Sequence, residues 1–444
     1  MSMLSNGVSG LNAANAGLNA VSQNVSNAAV KGYSRQTVVL QTNDGPLNGV
    51  KVTKFERVVD NFLNADIWRT QSDLNYYESY QDYLGYLEEV LGTDSLNLND
   101  AVAELNAAFN AALSAPESPA YRQQVISSAN AMVQDLQQLD GALTGQVRKL
   151  EFELKAVTEN VNSVLQELAD LNQNISKEIA LGRDASTLLD TREQAINRLS
   201  AYVQVEVMQE DNGSMTISAL NGAPLVMSGK AAVLSVAGTE VTSTFNTQEF
   251  PISGLAGGSL GGLLRVKSEV LDPARAELSN LVTTIATQVN DALAEGFDLN
   301  GNLGEPLFTF NPADPLGSIL VNADLSPDEL AFRGRVSDGA GGWLPAGGKG
   351  DNSNLVNVID SMKGVATGYD GLIGKLAIQS KQVQASVKTS QVLNDKAVAS
   401  RESISGVNRD EEAANLLYYQ QLYEANAKVI STAGQMFDTL MMMF

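Results

Sequence analysis

Apolar side chains recur every seven residues at both ends of the chain. Near the start they fall at Leu4, Leu11, Leu18 and Val25, with Ala14, Val21 and Ala28 three positions further on. Near the end the series is Leu416, Tyr423, Ile430, Phe437 and Phe444, with Tyr419, Ala433 and Leu440 offset by three. Such an a/d repeat predicts amphipathic helices that pack along a seam. The first stripe sits among Asn, Ser, Gly and Ala, and a short helix with so narrow a stripe is marginal alone in water. Burying a large apolar side chain contributes ~1.5–3 kcal/mol, whereas ordering the backbone costs ~1–2 kcal/mol per residue. Each terminal helix therefore needs a partner, and the obvious first partner is the other.

Between the ends the period changes. Val38, Leu40, Val50 and Val52 alternate around Asn43-Asp44-Gly45-Pro46, which predicts an extended hairpin arm. Helical spacing follows from about Val59 to Leu91, and again from Asn99 to Leu113. From Pro119 to Gly182 there is no further proline, and Val147, Leu150, Leu154, Val157, Val161, Val164, Leu168, Leu171 and Ile175 form a heptad series. A helix of that span would be roughly 95 Å long. From about Tyr202 to Phe250 the period is two, with turns at "DNG" and "NG", as in an antiparallel meander. Asp272-Pro273 reads as a helix start, cap first and proline next. A Pro- and Gly-rich stretch over 297–350 gives way to helical spacing from Asn352 to the break at Ser405-Gly406. Asn408, with Glu411 three residues on, reads as a capping box for the last helix. The predicted fold is mainly α with a β insertion, elongated, its layout palindromic and its domains discontinuous.

Composition narrows the function more than any motif does. The chain has 29 basic and 51 acidic residues, a formal net charge of −22, with no cysteine and no histidine. The charge repels nucleic acid and anionic lipid, so neither nucleic-acid binding nor membrane insertion is expected. Thiolate and imidazole chemistry is excluded. "GGSLG" over Gly257–Gly261 fits a nucleophile elbow in letters, but Ser259 has no histidine base, and a pair with Lys267 has nothing to support it. "DLNGNLGEPLFT" from Asp298 starts like a calcium loop, yet has Leu303 where glycine is required and Thr309 where a bidentate glutamate is required. An Asn-Gly turn is the simpler reading. Tyr76, Tyr77, Tyr80, Tyr83 and Tyr86 make an aromatic helix suited to the core or, on balance, to subunit contact. No catalytic residue, cofactor or metal site is expected.

"SGLNAANAGLNAVSQNVSNAAVKGYSRQ" resembles the N-terminal motif shared by flagellar rod, hook and hook-associated proteins. Within that group, Gly32-Tyr33-Ser34-Arg35-Gln36 and the C-terminal "SGVNRDEEAANLLYYQQLYEANAKVISTAGQMFDTL" resemble the first hook-associated family, FlgK. "STLLDTREQAINRLS" and "GSLGGLLRVKSEVLDPARAELSNL" extend the likeness into the interior. The chain departs from the family's usual Asn-x-Asn-Thr-Pro-Gly-Tyr, reading Asn27-Ala28-Ala29-Val30-Lys31-Gly32-Tyr33, without the proline. Its 297–350 stretch is also short, which implies a reduced outer domain.

The resemblance implies a terminal coiled-coil domain with hairpin arm (1–55 and 406–444), a helical rod domain (56–200, 263–296 and 351–405) and a β-rich outer domain (201–262 and 297–350). It implies a structural, non-enzymatic part of the extracellular flagellum: a ring of identical subunits joining hook to filament. Assembly would use Leu4, Leu11, Leu18, Val25, Leu416, Tyr423, Ile430, Phe437 and Leu440. The implied partners are the chain itself, the hook protein, the next hook-associated junction protein, the type III export apparatus and a cytoplasmic export chaperone on the C-terminal helix. Export by that route needs no cleaved signal peptide. A hook or filament subunit and a membrane-inserting translocator are the alternatives, with a hydrolase far behind.

Overall fold

The computed structural model describes residues 2–42, 49–93, 96–252 and 257–443. The turn expected at Asn43–Pro46 and the last member of the C-terminal series, Phe444, lie outside them. Helix α1 (Ser2–Asn27) leads into strands β1 (Gln36–Thr42) and β2 (Val50–Arg57), which pair antiparallel as the alternation predicted. Helices α2 (Asn61–Leu91), α3 (Leu98–Ala112), α4 (Pro119–Ala180) and α5 (Ser186–Tyr202) follow. The meander is real but splits in two. Strands β3 (Val205–Gln209), β4 (Met215–Ala219), β5 (Pro224–Met227) and β6 (Lys230–Ala231) form one antiparallel sheet. Strands β7 (Val233–Ala237), β8 (Glu240–Phe245) and β9 (Gln248–Ile252) form the other.

Helices α6 (Gly258–Val266) and α7 (Asp272–Ala294) come next, joined by a π turn over Lys267–Leu271. The 297–350 stretch is largely irregular. It carries two small hairpins, β10 (Phe308–Thr309) with β11 (Leu320–Val321) and β12 (Arg335–Ser337) with β13 (Trp343–Pro345), and the short helix α8 (Pro315–Ser318). Helices α9 (Ser353–Ser361), α10 (Val365–Ser405) and α11 (Arg409–Met441) complete the fold.

Two expectations need correction. Asp272 does not cap a helix start, because its backbone is helical (φ −63, ψ −45) and its N–H reaches back to the Lys267 carbonyl. Pro273 brings no N–H, and its ring crowds the preceding turn. The wider π turn places the proline inside a continuing helix. The helix predicted from Asn352 is broken near Gly364, whose φ of +89 lies where an L side chain is strained.

The chain divides into two compact units, one of Met1–Tyr76, Ala156–Gly261 and Lys388–Phe444, the other of Tyr77–Lys155 and Gly262–Val387. In the first, the predicted stripe of α4 is buried from Val157 through Ile175, and the same helix fastens the sheets with asparagines. Asn172 Nδ2 donates to the Met215 carbonyl (2.7 Å) while its Oδ1 accepts from the Met215 N–H (3.1 Å). Asn162 does the same to Leu234, at 2.9 and 2.7 Å. Each amide thus acts as one rung of a neighbouring strand, meeting backbone groups that burial would otherwise leave unpaired.

The second unit repeats the device. Asn290 of α7 bonds both backbone groups of Phe308, at 2.7 and 3.0 Å. Its core is built around Leu105, Phe109, Met132, Leu136, Leu278 and Phe332, with Phe109 and Phe332 edge to face at 6.3 Å. Tyr80 and Tyr83 of the tyrosine series are buried, and the Tyr83 hydroxyl donates to Glu153 (2.7 Å), so these side chains serve the core rather than a contact surface. Arg122 is fully buried. It donates to the carbonyls of Pro116, Pro327 (3.1 Å) and Leu330 (2.7 Å) and stacks on Phe332 at 4.5 Å. Burial pushes its pKa down to about 10, although Asp328, Asp298 and Glu117 oppose the shift. Arg122→Ala strands three carbonyl acceptors, two of them in buried contacts, and should cost about 3–5 kcal/mol, measurable as an earlier urea transition.

Candidate assembly surface

Helices α1 and α11 pair antiparallel, and the contact line on α1 is made of small residues. Gly7, Gly10, Ala14, Gly17, Val21 and Asn24 are spaced alternately three and four apart, and Ala14 and Val21 among them are the offset members of the period-seven series. Ala14, Val21 and Asn24 are almost wholly buried. A Cβ at Gly17 would overlap the Tyr419 ring, one at Gly10 the Asn426 amide, and one at Gly7 would lie 2.7 Å from Ile430 Cγ1. The side chains of α11 therefore stand directly on the α1 backbone, an approach that glycine alone permits. A larger residue at these positions would force the α11 side chain to move.

The residues expected to form the assembly surface divide accordingly. Ile430 sits over Gly7. Leu11 and Leu18 are half-buried. Leu4 (48%), Val25 (46%), Leu416 (42%), Tyr423 (37%), Phe437 (63%) and Leu440 (56%) are exposed, as are Met3, Val8, Leu417, Met436 and Met441. These exposed apolar side chains lie along one helix pair.

The Gly32–Gln36 segment is fastened to this pair and to its surroundings. Past Asn27, turns close by Val30 N–H to the Asn27 carbonyl and Tyr33 N–H to the Val30 carbonyl, and Gly32 takes φ +78. The chain thus leaves α1 through a glycine turn without the proline. Asn24 bonds both backbone groups of Gln36 at 2.9 Å and accepts from the Tyr33 hydroxyl at 3.0 Å. Ser34 is fully buried, and Arg57 Nη2 (3.1 Å) and Arg401 Nη2 (2.9 Å) both donate to its Oγ. The Glu193 carboxylate bridges the same two guanidiniums, at 2.8 and 2.9 Å, and Asp190 pairs with Arg57. Burial pushes the Asp190 carboxyl up, against the pull of Arg57. Arg35 donates its N–H to the Ser405 carbonyl (2.8 Å) and its guanidinium to Glu411 (2.6 Å). That pairing takes Glu411 away from the capping box expected of it, and Asn408 alone caps α11 through the Asp410 N–H (3.0 Å).

Sequence reasoning missed Asn24, Arg57, Asp190, Glu193 and Arg401. For two of them, Asp190 and Glu193, the pointer available was their place in "STLLDTREQAINRLS", one of the stretches that carry the family likeness. Lys267 pairs with Asp272 (3.3 Å), and the Ser259 Oγ has no hydrogen-bond partner among the described residues. Asp298 Oδ1 closes the Asn300-Gly301 turn by accepting from the N–H groups of Asn300 (2.8 Å) and Asn302 (2.7 Å). Among the described residues no cluster of acidic side chains could hold a metal, and no helix is long and apolar enough to cross a membrane.

Residues 84–308, half of the chain, match the model of the flagellar hook-associated protein FlgK helical domain. The chain belongs to the FlgK family. That family is one of flagellar structural proteins, not enzymes. Residues 400–443 also match the C-terminal region of the flagellar basal body rod FlgEFG proteins. The chain is 28% identical to flagellar hook-associated protein 1 of Escherichia coli over 541 positions, covering 99% of each. Those 541 positions exceed the chain's 444 residues, so the relative carries segments absent here. The Bacillus subtilis protein of the same name is 23% identical, over 96% of this chain and 95% of its own. The fold is similar to that of the flagellar hook junction protein FlgK from Burkholderia pseudomallei (TM-score 0.68, 17% identity, 78% of this chain and 100% of that one).

Gly17→Val should push Tyr419 off the seam and separate the terminal helices, read as faster amide exchange in both. Leu4→Ser, on the exposed face, should leave the exchange of the isolated chain unchanged.

Proposed function

We propose that this FlgK-family chain is a ring-forming adaptor that joins hook to filament, assembled through the exposed faces of α1 and α11. The observation that supports this reading is the row Leu416, Tyr423, Phe437 and Leu440, left uncovered although α11 already has a partner within the chain. A helix whose Tyr419, Asn426 and Ile430 rest on glycines while the rest of its apolar row stays exposed is suited to a further helix from a neighbouring copy. Each large side chain covered there contributes ~1.5–3 kcal/mol, and closure around an axis repeats that gain at every subunit contact. Hook protein on one side and the next hook-associated protein on the other are the further partners. Before assembly, an export chaperone covers the same apolar row while the chain is passed to the type III apparatus and out to the flagellum.

Leu416→Asp and Phe437→Asp place a carboxylate on this face without touching the glycine seam. Both variants should keep the helicity and melting temperature of the monomer but abolish motility, with electron micrographs showing bare hooks. Normal motility in either would contradict the proposal.

A further inference from the structure

We infer that Ser34 and the charged groups around it form a positioning lock, which holds the facing ends of α1 and α11 together and so makes their pairing possible. The inference concerns the helices of the proposed assembly surface, but it rests on geometry within one chain, so either can fail without the other.

Arg35 and Glu411 lie 376 positions apart in sequence, and two marginal helices so separated meet at a large cost in loop-closure entropy. The lock removes that separation. On one side of Ser34, Asn24 holds the last turns of α1 to Gln36. On the other, Arg35 holds the end of α10 through Ser405 and the first turn of α11 through Glu411. Ser34 itself is held by Arg57 of β2 and Arg401 of α10, and Glu193 of α5 ties those two arginines together. Arg401 adds bonds to the carbonyls of Gly32 (3.1 Å) and Tyr33 (3.4 Å), and Gln194 adds one to Lys31 (3.1 Å). Two helix ends pinned to one five-residue segment close like a hairpin. Pairing then runs outward from Gly17 and Tyr419 to Gly10 and Asn426, and last to Gly7 and Ile430. Ser34, Arg57, Glu193 and Arg401 are thus positioning residues for a surface none of them belongs to.

Amide exchange by mass spectrometry on the purified full chain tests this with Ser34→Ala and Glu193→Gln, the second retaining the shape of the carboxylate. Both should speed exchange along the whole of α1 and α11 by on the order of tenfold, the scale set by losing a charge-assisted bond. Exchange in α3, α7 and α9 should stay unchanged. Coupling is reciprocal, so Tyr419→Ala, at the seam, should in turn speed exchange at Arg35 and Gln36. Acceleration confined to residues 32–57, or equal acceleration across the chain, would overturn the inference. So would an unaltered Arg35–Gln36 segment in Tyr419→Ala.

Discussion

Two helices can stand backbone to side chain only where one of them has no side chains in the way, and the terminal pair depends on that condition. Gly7, Gly10 and Gly17 clear a track on α1 that Ile430, Asn426 and Tyr419 occupy. Glycine in a helix costs roughly 1 kcal/mol against alanine, so the track lowers the stability of α1 alone. The gain is that on α1 the intrachain seam uses mainly small residues, whereas on α11 it takes up Ile430 and Tyr419. Leu4 and Val25 of α1, and Leu416, Phe437 and Leu440 of α11, remain exposed.

The rest of the first unit supplies what the weak helix lacks. Asn24, Asn162 and Asn172 each grip both backbone groups of one residue in an extended segment. Arg57, Asp190, Glu193 and Arg401 close a largely buried ion cluster around one hydroxyl. A buried pair of opposite charges adds little net stability against an apolar replacement, but losing one member is costly. Such a cluster favours a single geometry. In a chain without cysteine or histidine, amide clamps and arginine–carboxylate contacts take the place of disulfides and metals as local fasteners.

The period-seven repeats announced both terminal helices and the long α4, and the period-two stretch announced the sheets, because burial follows directly from side-chain spacing there. The terminal pairing was legible in part. Ala14 and Val21, the offset members of the period-seven series, are buried in the seam, while Gly7, Gly10 and Gly17 carried the same spacing without hydrophobicity and went unremarked. Hydropathy cannot rank a glycine by what stands on it. The π turn before Pro273 escaped notice because Asp-Pro is also a sound helix start. The burial of Arg122 and Arg401 and the pairing of Glu193 are tertiary, since their partners come from segments distant in sequence. The Gly32–Gln36 segment was legible as a family signature, and its work as a fastening appeared only when Arg57, Glu193 and Arg401 were seen around Ser34.

In the proposed assembly the exposed row on α11 is covered by neighbouring copies while the glycine seam stays within each chain. Because the chain has no native cysteine, a single thiol introduced by Phe437→Cys reports on that face alone. Maleimide should label it readily in the purified monomer and fail to label it in intact flagella. Equal labelling in both states would mean that the row faces solvent after assembly, and the account would be wrong.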